Sequence, residues 1–263
     1  MSAAQPDLGA DERAWQDEIG GRLQAEAYAR AGTREVLDRQ HARIAAALQA
    51  TPGMRVLDLG CGVGHLLAWL GRRVPARYHG IDLSVNSVRA ARCAVELAEV
   101  SVGDAGRLPF RDASYDRVIS NGAAHHLRDV PAAFREIRRV LRPGGRVVLH
   151  EPVDSPVTGA IRHTLFRRSP YESPADLSQK HGFTRDLVER ALSEAGFVEV
   201  NAVPHDFLAY PLSGMYMELP WSRSRRAMRA LIDLETRLDR LALLRPVWDA
   251  LAWRVLFTAR RPP

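Results

Sequence analysis

The chain has 263 residues, 46% of them hydrophobic, and a net charge of +6 at pH 7. This length and composition suit one large α/β domain with an ample core, and no apolar run approaches the roughly 18 residues of a transmembrane helix. The positive charge is spread along the chain, whereas nucleic-acid binders carry one dense basic face. The sequence therefore disfavours a nucleic-acid partner.

The N-terminus and the cysteines bear on where the protein works. Residues 1–13 have neither the basic start nor the apolar stretch of a secretory signal. The two cysteines, Cys61 and Cys93, lack metal-ligand spacing, and no set of acidic residues suggests a metal site. The sequence predicts a reducing, cytoplasmic environment and no bound metal.

Two helices are predicted before the first strand, between about residues 10 and 50. Gly32 and Thr33 separate them, with Thr33 as the N-cap of the second helix. Side chains recur at three- to four-residue steps along both helices. The recurring positions are Trp15, Ile19, Leu23, Leu37, His41, Ile44 and Leu48. The simplest interpretation is an N-terminal cap that packs against a sheet.

The stretch Met54–Leu67 organises the rest of the chain. An apolar strand leads into the pattern D-x-G-x-G-x-G, from Asp58 to Gly64, and a helix follows. A dinucleotide fingerprint, G-x-G-x-x-G, would have its third glycine one residue later, where this chain has His65. The spacing therefore disfavours a nicotinamide-dependent oxidoreductase.

Two further strands end in acidic residues. Asp82 ends the second strand, about 20 residues after the glycine loop, where a carboxylate can accept hydrogen bonds from both ribose hydroxyls of an adenosine. Ser84 is predicted to cap a helix over residues 85–98. Asp104 ends the third strand, and Leu108-Pro109-Phe110 follows it.

Two more strands complete this part of the pattern. The fourth, residues 115–120, runs into Asn121-Gly122-Ala123-Ala124-His125-His126, and a helix over residues 129–140 follows. The turn Leu141–Arg146 then leads into a fifth strand that ends at Glu151-Pro152. Ligands bind beyond the carboxyl ends of the strands in such sheets, so the polar residues there are the candidates for a functional site.

These five segments, in this order between residues 54 and 152, resemble the motifs of the class I S-adenosylmethionine-dependent methyltransferases. The resemblance is to the small-molecule group that includes the ubiquinone and menaquinone methyltransferases. It implies a Rossmann-like, doubly wound α/β fold with seven strands, the last of them, near residues 253–259, antiparallel. It also implies one domain over residues 1–263 and an enzyme that transfers a methyl group from S-adenosylmethionine.

The resemblance also assigns contacts to the cofactor. Asp82 would hold the ribose, and Asp104 would accept from the adenine amine while the N–H of Ala105 meets a ring nitrogen. Asn121 begins the segment beside the transferred methyl group, and Tyr28 would close over the cofactor from the N-terminal cap. The predicted cofactor set is Asp58, Gly60, Cys61, Gly62, Gly64, Asp82, Leu83, Asp104, Ala105, Asn121 and Tyr28.

His125, His126 and Glu151 are the candidate catalytic residues, and His150 is a further polar residue at the strand ends. A neutral hydroxyl or amine acceptor must lose a proton, and a general base typically contributes about 10²–10⁴-fold. Each candidate has a structural alternative. His126 could brace its loop, His150 could be a hydrogen-bonded core residue, and Glu151 could pair with an arginine.

Residues 153–182 and 204–250 are predicted inserts on the substrate side of the domain. A helix over residues 222–244 carries an apolar stripe at Leu231, Leu234, Leu238 and Leu241. The stripe either packs on the domain or belongs to a lid over the acceptor. In the second case an apolar cavity would suit a small hydrophobic acceptor. Its predicted lining is Tyr210, Met215, Met217 and Trp221.

Two alternatives to this function remain at the level of the sequence. A basic, apolar helix could contact anionic lipid, which would make the acceptor a membrane-dissolved isoprenoid or quinone. A protein of another class could bind S-adenosylmethionine without catalysis, as a sensor or scaffold. The sequence predicts neither the oligomeric state nor whether O, N or C is methylated.

Overall fold

The computed structural model describes residues 14, 16–96, 98–127, 129–161, 164, 183–213 and 219–263. The strands are β1 (Arg55–Leu59), β2 (Arg77–Asp82), β3 (Ala98–Val102), β4 (Tyr115–Asn121), β5 (Leu141–Pro152), β6 (Val198–His205) and β7 (Arg254–Arg260). The helices are α1 (Gly21–Ala29), α2 (Ala31–Leu48), α3 (His65–Gly71), α4 (Val85–Ala94), α5 (Val130–Val140), α6 (Pro156–Ile161), α7 (Arg185–Glu194), α8 (Arg225–Asp239) and α9 (Arg245–Leu251). Trp15, Met215, Met217 and most of the predicted insert at 153–182 lie outside the described residues.

The seven strands form one sheet in the order β3-β2-β1-β4-β5-β7-β6. Strand β7 is antiparallel to both of its neighbours, β5 and β6, and the pairs among β1 to β5 are parallel. This arrangement confirms the predicted doubly wound sheet with an antiparallel last strand. The strand order reverses between β1 and β4, which is where open α/β sheets bind their ligands.

The central strands are apolar because both faces of the sheet are covered. Val56 and Leu57 of β1 are fully buried, as are Val118 and Ile119 of β4. Val56 and Ile119 belong to one apolar cluster and Leu57 and Val118 to the other, so the sheet separates two cores. Strands buried on both faces read as continuous apolar runs rather than as alternating ones.

Helix boundaries follow local caps where the sequence offers them. Ser84 Oγ accepts from the N–H of Ser87, as the sequence predicts. Helix α4 ends at Ala94, earlier than the predicted residue 98, because Val95 is extended and β3 already begins at Ala98. A carboxylate cap at Asp129 starts α5 in the same way.

The break between the two N-terminal helices lies at Arg30, not at Gly32 and Thr33 as predicted. Gly32 lies in the first turn of α2. Its backbone packs so closely against the carbonyl of Ser222 that a Cβ at this position would collide with it. The Thr33 hydroxyl donates to Ser213 O at 3.1 Å. Contacts with the insert, which is distant in sequence, therefore keep Gly32 and Thr33 within α2, although the glycine alone predicts a break between helices.

The insert between β6 and β7 packs on α2. The predicted helix over residues 222–244 is shorter, since α8 ends at Asp239 and a 3₁₀ turn precedes α9. Its buried positions are Met228 and Glu235, with Leu231 and Ile232 partly buried beside Met228. The predicted apolar stripe is therefore correct only in part, and Leu234 and Leu241 remain 46% and 49% exposed. Among the described residues, no helix combines the length and apolar character needed to cross a bilayer.

Candidate active site

A cleft opens at the carboxyl ends of β1 and β4, where the strand order reverses. It contains about 370 Å³ of empty space, part of which is open solvent. Its lining is Tyr28, His41, Asp58, Gly60, Cys61, Gly62, Val63, His65, Leu66 and Asn121. The cleft thus contains much of the cofactor set that the sequence predicts.

The floor of the cleft is glycine backbone held in left-handed conformations. Gly60, Gly62 and Gly64 have φ values of 70°, 52° and 83°, a region that other residues rarely adopt. A Cβ on Gly60 would collide with the side chain of Ala123, in the loop that follows β4. Glycine therefore lets the two loops approach each other at this edge of the sheet.

Asp82 fixes the glycine loop to the end of β2. Its Oδ2 accepts from the N–H of Gly62 at 2.8 Å, and its Oδ1 accepts from the N–H of Ser84 at 2.9 Å. A carboxylate offers about four acceptor positions, so Asp82 keeps acceptor capacity for a ligand. Burial raises the pKa of Asp82, and the backbone hydrogen bonds oppose that shift.

Asp58 is a buried carboxylate that no described residue supplies with a hydrogen bond. It is 2% exposed and lies one residue before the end of β1. Burial, followed by the negative charge of Asp82, raises the pKa of Asp58 to about 7. A buried acid without a partner is costly, and a cationic group in the cleft would offset that cost.

His41 is a cleft residue that the sequence does not single out. It is 5% exposed, and its Nδ1 is buried without a hydrogen-bond partner among the described residues. Burial lowers its pKa to about 4, with the positive charges of His65, Arg254 and Arg73 acting in the same direction. The sequence places His41 in a helical core repeat, and a polar residue at such a position was the only available signal.

The other predicted cofactor residues differ in how they are placed. The ring of Tyr28 lies 4.9 Å from that of His65, at the wall of the cleft. Cys61 is buried, and burial raises its pKa, so its sulfur stays a thiol. Asp104 is exposed, and its Oδ1 accepts from the N–H of Gly106 at 2.8 Å. Leu83 and Ala105 are partly buried beside these acids.

Glu151 holds the loop that carries the candidate histidines. Its carboxylate is fully buried at the end of β5; Oε1 accepts from Ser120 Oγ at 2.8 Å and from the N–H groups of Ala123 and Ala124 at 3.2 and 3.1 Å. Oε2 lies 2.8 Å from His125 Nδ1. Burial opposes ionisation, yet these hydrogen bonds hold the pKa of Glu151 below its ordinary value.

The two histidines of this loop lie together. The ring centroids of His125 and His126 are 3.9 Å apart, and His125 is buried while His126 is partly exposed. The sequence proposes both histidines and Glu151 as candidate catalytic residues. The structure joins His125 to Glu151, but the Glu151 carboxylate is enclosed by the loop that it holds.

A second polar network runs from the cleft into the interior. Asn121 contacts His150 Nδ1 at 2.8 Å, and His150 Nε2 lies 2.8 Å from His205 Nε2. Because His205 Nδ1 faces the carbonyl of Val203 at 3.1 Å, it carries the proton, and Nε2 accepts from His150. The structure thus bears out a hydrogen-bonded core position for His150.

His150, His205 and Asp206 bring three potential metal ligands within 4.8 Å of one another. Asp206 is already occupied, because it accepts from Arg39 at 2.6 Å, from Arg43 at 3.1 Å and from Gln40. A cation here would also lie among these arginines. The geometry therefore favours a hydrogen-bonded network over a metal centre.

Residues 57–149 match the profile of a protein family described as a methyltransferase domain. This stretch is therefore similar to a methyltransferase domain of the class I type that the sequence motifs resemble. Enzymes of this class use S-adenosylmethionine as the methyl donor. The matched residues include the glycine loop, both acid-ending strands and the histidine loop.

Curated relatives resemble part of the chain. A 37.1-kDa protein of a Streptomyces fradiae transposon is 36% identical over 60% of this chain and 47% of its own length. Methyltransferase GfsG of Streptomyces halstedii is 38% identical over 40% of each protein, and phosphoethanolamine N-methyltransferase 3 of Arabidopsis thaliana is 32% identical over 59% of this chain and 31% of its own. The chain spans less than half the length of these relatives.

Solved structures share the fold over more of the chain. Geranyl diphosphate C-methyltransferase of Streptomyces coelicolor A3(2), in complex with Mg²⁺, geranyl diphosphate and S-adenosyl-L-homocysteine, has a TM-score of 0.65 at 18% identity and covers 99% of this chain and 100% of its own. Phosphoethanolamine N-methyltransferase 2 of Haemonchus contortus, in complex with S-adenosyl-L-methionine, has a TM-score of 0.59 at 20% identity, covering 86% of this chain and 53% of its own. These likenesses establish the fold.

Proposed function

We propose that this protein transfers a methyl group from S-adenosylmethionine to a small, apolar metabolite in the cytoplasm. The observation that carries the proposal is the cleft at the switch point. It combines positive-φ glycine backbone, the partly satisfied carboxylate of Asp82 and the buried carboxylate of Asp58. These groups match an adenosine linked to a charged amino acid. When bound, the cofactor supplies an electrophilic methyl group on a sulfonium sulfur.

Each cofactor contact has its own role in the proposal. Asp82 accepts from the ribose hydroxyls with the acceptor capacity that its bonds to Gly62 and Ser84 leave. Asp104 and the N–H of Ala105 recognise the adenine edge, and Asp58 takes the ammonium group. The remaining predicted residues shape the cleft. Alignment of two bound partners can supply roughly 7–11 kcal/mol of a barrier, so positioning accounts for much of the rate.

His125 is the proposed acceptor-side base, with Glu151 as its positioning partner. Because ionised Glu151 can only accept, the His125 proton lies on Nδ1 and the basic electron pair on Nε2. The same carboxylate fixes the loop backbone at Ala123 and Ala124. His126 packs against the His125 ring and supports its orientation.

The insert favours an apolar acceptor, and the relatives favour a small one. Residues 204–250 are proposed as the acceptor-side cover, together with residues 153–182. Phe207 and Trp248 stack at 4.5 Å, and Tyr210 is buried beside α8. Aromatic walls of this kind suit apolar ligands. Relatives whose names specify sterol, phosphoethanolamine and acyl-carrier-protein methyltransferases are consistent with small acceptor groups.

Transfer of label from S-adenosylmethionine tests the proposal. The wild-type protein and two glycine variants would be screened against a panel of phenols, prenylated rings and polyketides. Gly62→Val should abolish binding and transfer, because it places a β-branched side chain at φ 52° in the cleft. Gly144→Val is the matched control, since Gly144 has φ 73° but open space around it.

Three results are informative. Binding and transfer that are lost only in Gly62→Val support the proposal. Wild-type protein that binds the cofactor but labels no acceptor in the panel favours the sensor or scaffold alternative. Wild-type protein that does not bind S-adenosylmethionine overturns the proposal.

A further inference from the structure

The insert between β6 and β7 leaves the sheet at the edge where the parallel strands end. Arg254, the first residue of β7, pairs with Pro152 and His205, the last residues of β5 and β6. Within the insert, the chain passes from α8 to α9 through a 3₁₀ turn, Ala242–Leu244. This turn and its flanks, residues 240–247, are called the tip loop below.

The tip loop exposes apolar side chains. Leu243 is 92% exposed, more than any other large apolar side chain among the residues that the structure describes, and Leu241 and Val247 are 49% and 47% exposed. Single exposed apolar side chains are common on protein surfaces, but here they follow one another along one short stretch. The tip loop therefore presents an apolar surface to solvent.

Hydrogen bonds hold the tip loop in this conformation. The N–H of Leu244 donates to the carbonyl of Leu241 at 2.9 Å, and the N–H of Leu241 donates to the carbonyl of Leu238 at 3.0 Å. Trp248 of α9 donates from Nε1 to the same Leu238 carbonyl at 3.0 Å. The outward position of Leu243 is therefore set by the fold.

The charge around the tip loop is positive. The negative charge of Asp239, the acid nearest to it in sequence, acts on Arg43 of α2, and Asp249 of α9 is only partly exposed. Three exposed arginines in or next to the tip loop form no ion pair with another residue that the structure describes: Arg237, Arg240 and Arg245.

Charge and shape decide which partner suits this surface. A second copy of the chain in a twofold contact would bring the same arginines face to face, which repulsion between like charges disfavours. A protein partner would have to offer an apolar pocket with an acidic rim. An anionic bilayer offers both features without a matching pocket, because apolar side chains enter the boundary below the headgroups while arginines meet the lipid charges.

We propose that the tip loop docks on an anionic phospholipid bilayer, with Leu243 inserted below the headgroups and Arg240 and Arg245 beside the lipid phosphates. The sequence suggests a lipid contact along a helix over residues 222–244. We place it beyond the end of α8 instead, because Met228 and Leu231 pack towards the domain. So few groups give a weak, reversible contact. Because the insert is also the proposed acceptor-side cover, docking would, under the proposed function, bring it to apolar molecules dissolved in the bilayer.

Co-sedimentation of the full chain with vesicles tests the docking. Vesicles of phosphatidylcholine with about one third phosphatidylglycerol give an anionic surface, and phosphatidylcholine alone gives a neutral one. Wild-type protein should bind the anionic vesicles at about 0.01 M salt and lose at least about tenfold in affinity at about 0.15 M, because the screening length falls from roughly 30 to 8 Å. Binding to neutral vesicles should be at least about tenfold weaker than to anionic ones.

Two variants separate the apolar part of the contact from the charged part. Leu243→Ser should weaken binding to anionic vesicles by about tenfold, because it removes the most exposed apolar side chain from the bilayer. The double variant Arg240→Gln with Arg245→Gln should weaken it by about 25-fold, at about fivefold for each arginine.

Matched controls change exposed side chains away from the tip loop. Val198→Ser lies at the other end of β6 from the insert, and Arg89→Gln lies on α4. Both should bind anionic vesicles as the wild type does. Circular dichroism should show the wild-type fold in every variant, because each changed side chain is exposed.

The inference is overturned if the wild-type protein does not bind anionic vesicles at low salt. It is also overturned if Leu243→Ser and the arginine variant both keep wild-type affinity. A third contrary result is a Leu243→Ser substitution that converts a dimer into a monomer without lipid, since the tip loop would then be a contact between copies. Binding of S-adenosylmethionine and methyl transfer in solution are measured without vesicles, so the proposed function stands or fails separately.

Discussion

The buried carboxylate of Asp58 lowers the stability of the ligand-free protein, at a position proposed to bind the ammonium group of the cofactor. Its pKa of about 7 in the fold contrasts with about 3.9 for an exposed aspartate. The folded protein therefore loses stability as the pH rises from about 4 through 7, because the buried group must ionise. Asp58→Asn removes this titration. It should stabilise the ligand-free protein at pH 8 by as much as about 4 kcal/mol, given 1.36 kcal/mol per pKa unit.

Calorimetric unfolding at pH 4 and pH 8 checks this prediction. The gain in unfolding free energy of Asp58→Asn over the wild type should be present at pH 8 and absent at pH 4. A variant that is less stable than the wild type at both values would contradict it. The same variant should bind S-adenosylmethionine at least about tenfold more weakly at pH 8, because it loses the charge that faces the ammonium group.

The pair of His125 and Glu151 leads to a kinetic prediction. Glu151→Gln replaces an acceptor by an amide N–H that opposes the donors around it, including His125 Nδ1. Turnover should fall by about 10²-fold or more, while the affinity for S-adenosylmethionine stays within about threefold. Steady-state kinetics and calorimetry on the same preparations measure the two effects. His125→Asn should behave similarly, and His126→Asn more mildly. Full turnover in all three variants would mean that catalysis depends on positioning alone.

At the scale of elements, α2 joins the cap, the sheet and the insert. Glu35 pairs with Arg225 and Arg229 of α8 at 2.6 and 2.8 Å. Arg39 lies between Asp206 and Glu235, and the Glu235 carboxylate also accepts from the N–H groups of Leu208 and Ala209. Most of these groups are buried, so loss of one partner would leave an uncompensated charge.

Gly32 provides a test of the contact between α2 and the insert. Replacement of a helical glycine by alanine ordinarily stabilises by about 0.5–1 kcal/mol. Gly32→Ala should instead destabilise by about 1–3 kcal/mol, because the new Cβ meets the backbone of Ser222 and lies 2.7 Å from Met228 Cγ. Gly159→Ala, in α6, is the control, since its Cβ would come no closer than 3.4 Å to a neighbour. Urea unfolding compares the two, and equal effects would mean that α2 tolerates a shift of the insert.

At the scale of the whole molecule, buried histidines govern the response to acid. Burial lowers the pKa of His205 to about 4, against the opposing charge of Asp206, and it also lowers that of His150. A histidine whose pKa is lowered in the fold leaves the protein at full stability above the unfolded pKa, near 6.5. That stability is lost as the pH falls towards 4, because the unfolded state takes up the proton first. His205→Gln lacks this titration. Between pH 6.5 and 4, the difference in unfolding free energy between wild type and variant should shrink by about 1.4 kcal/mol per pH unit.

Urea unfolding at pH 7, 6 and 5 gives that difference directly. Titrating groups that do not contact His205 cancel, because they have the same surroundings in both proteins. A constant difference across this range would show that folding leaves the pKa of His205 near its unfolded value.

The sequence predicts the sheet and the glycine loop well, because the signals there are local. The apolar run Val56–Leu59 and the acid at Asp82 can each be recognised within the sequence of a single strand. His41 and Glu235 were not recognisable in the same way, since their roles arise where three distant segments meet. The fourth-strand loop lies between these cases: His125 is apparent from the motif, but its bond to Glu151 depends on the alignment of β4 with β5.

Strand β7 gives the chain an order of assembly during synthesis. It lies between β5 and β6, although about 50 residues separate it from β6 along the chain. Until β7 leaves the ribosome, β6 has no strand to pair with, and β5 presents an unpaired edge that includes Glu151. Open edges of this kind recruit other chains. A nascent chain that has completed β6 but not β7 is therefore the species on which we expect chaperones to act.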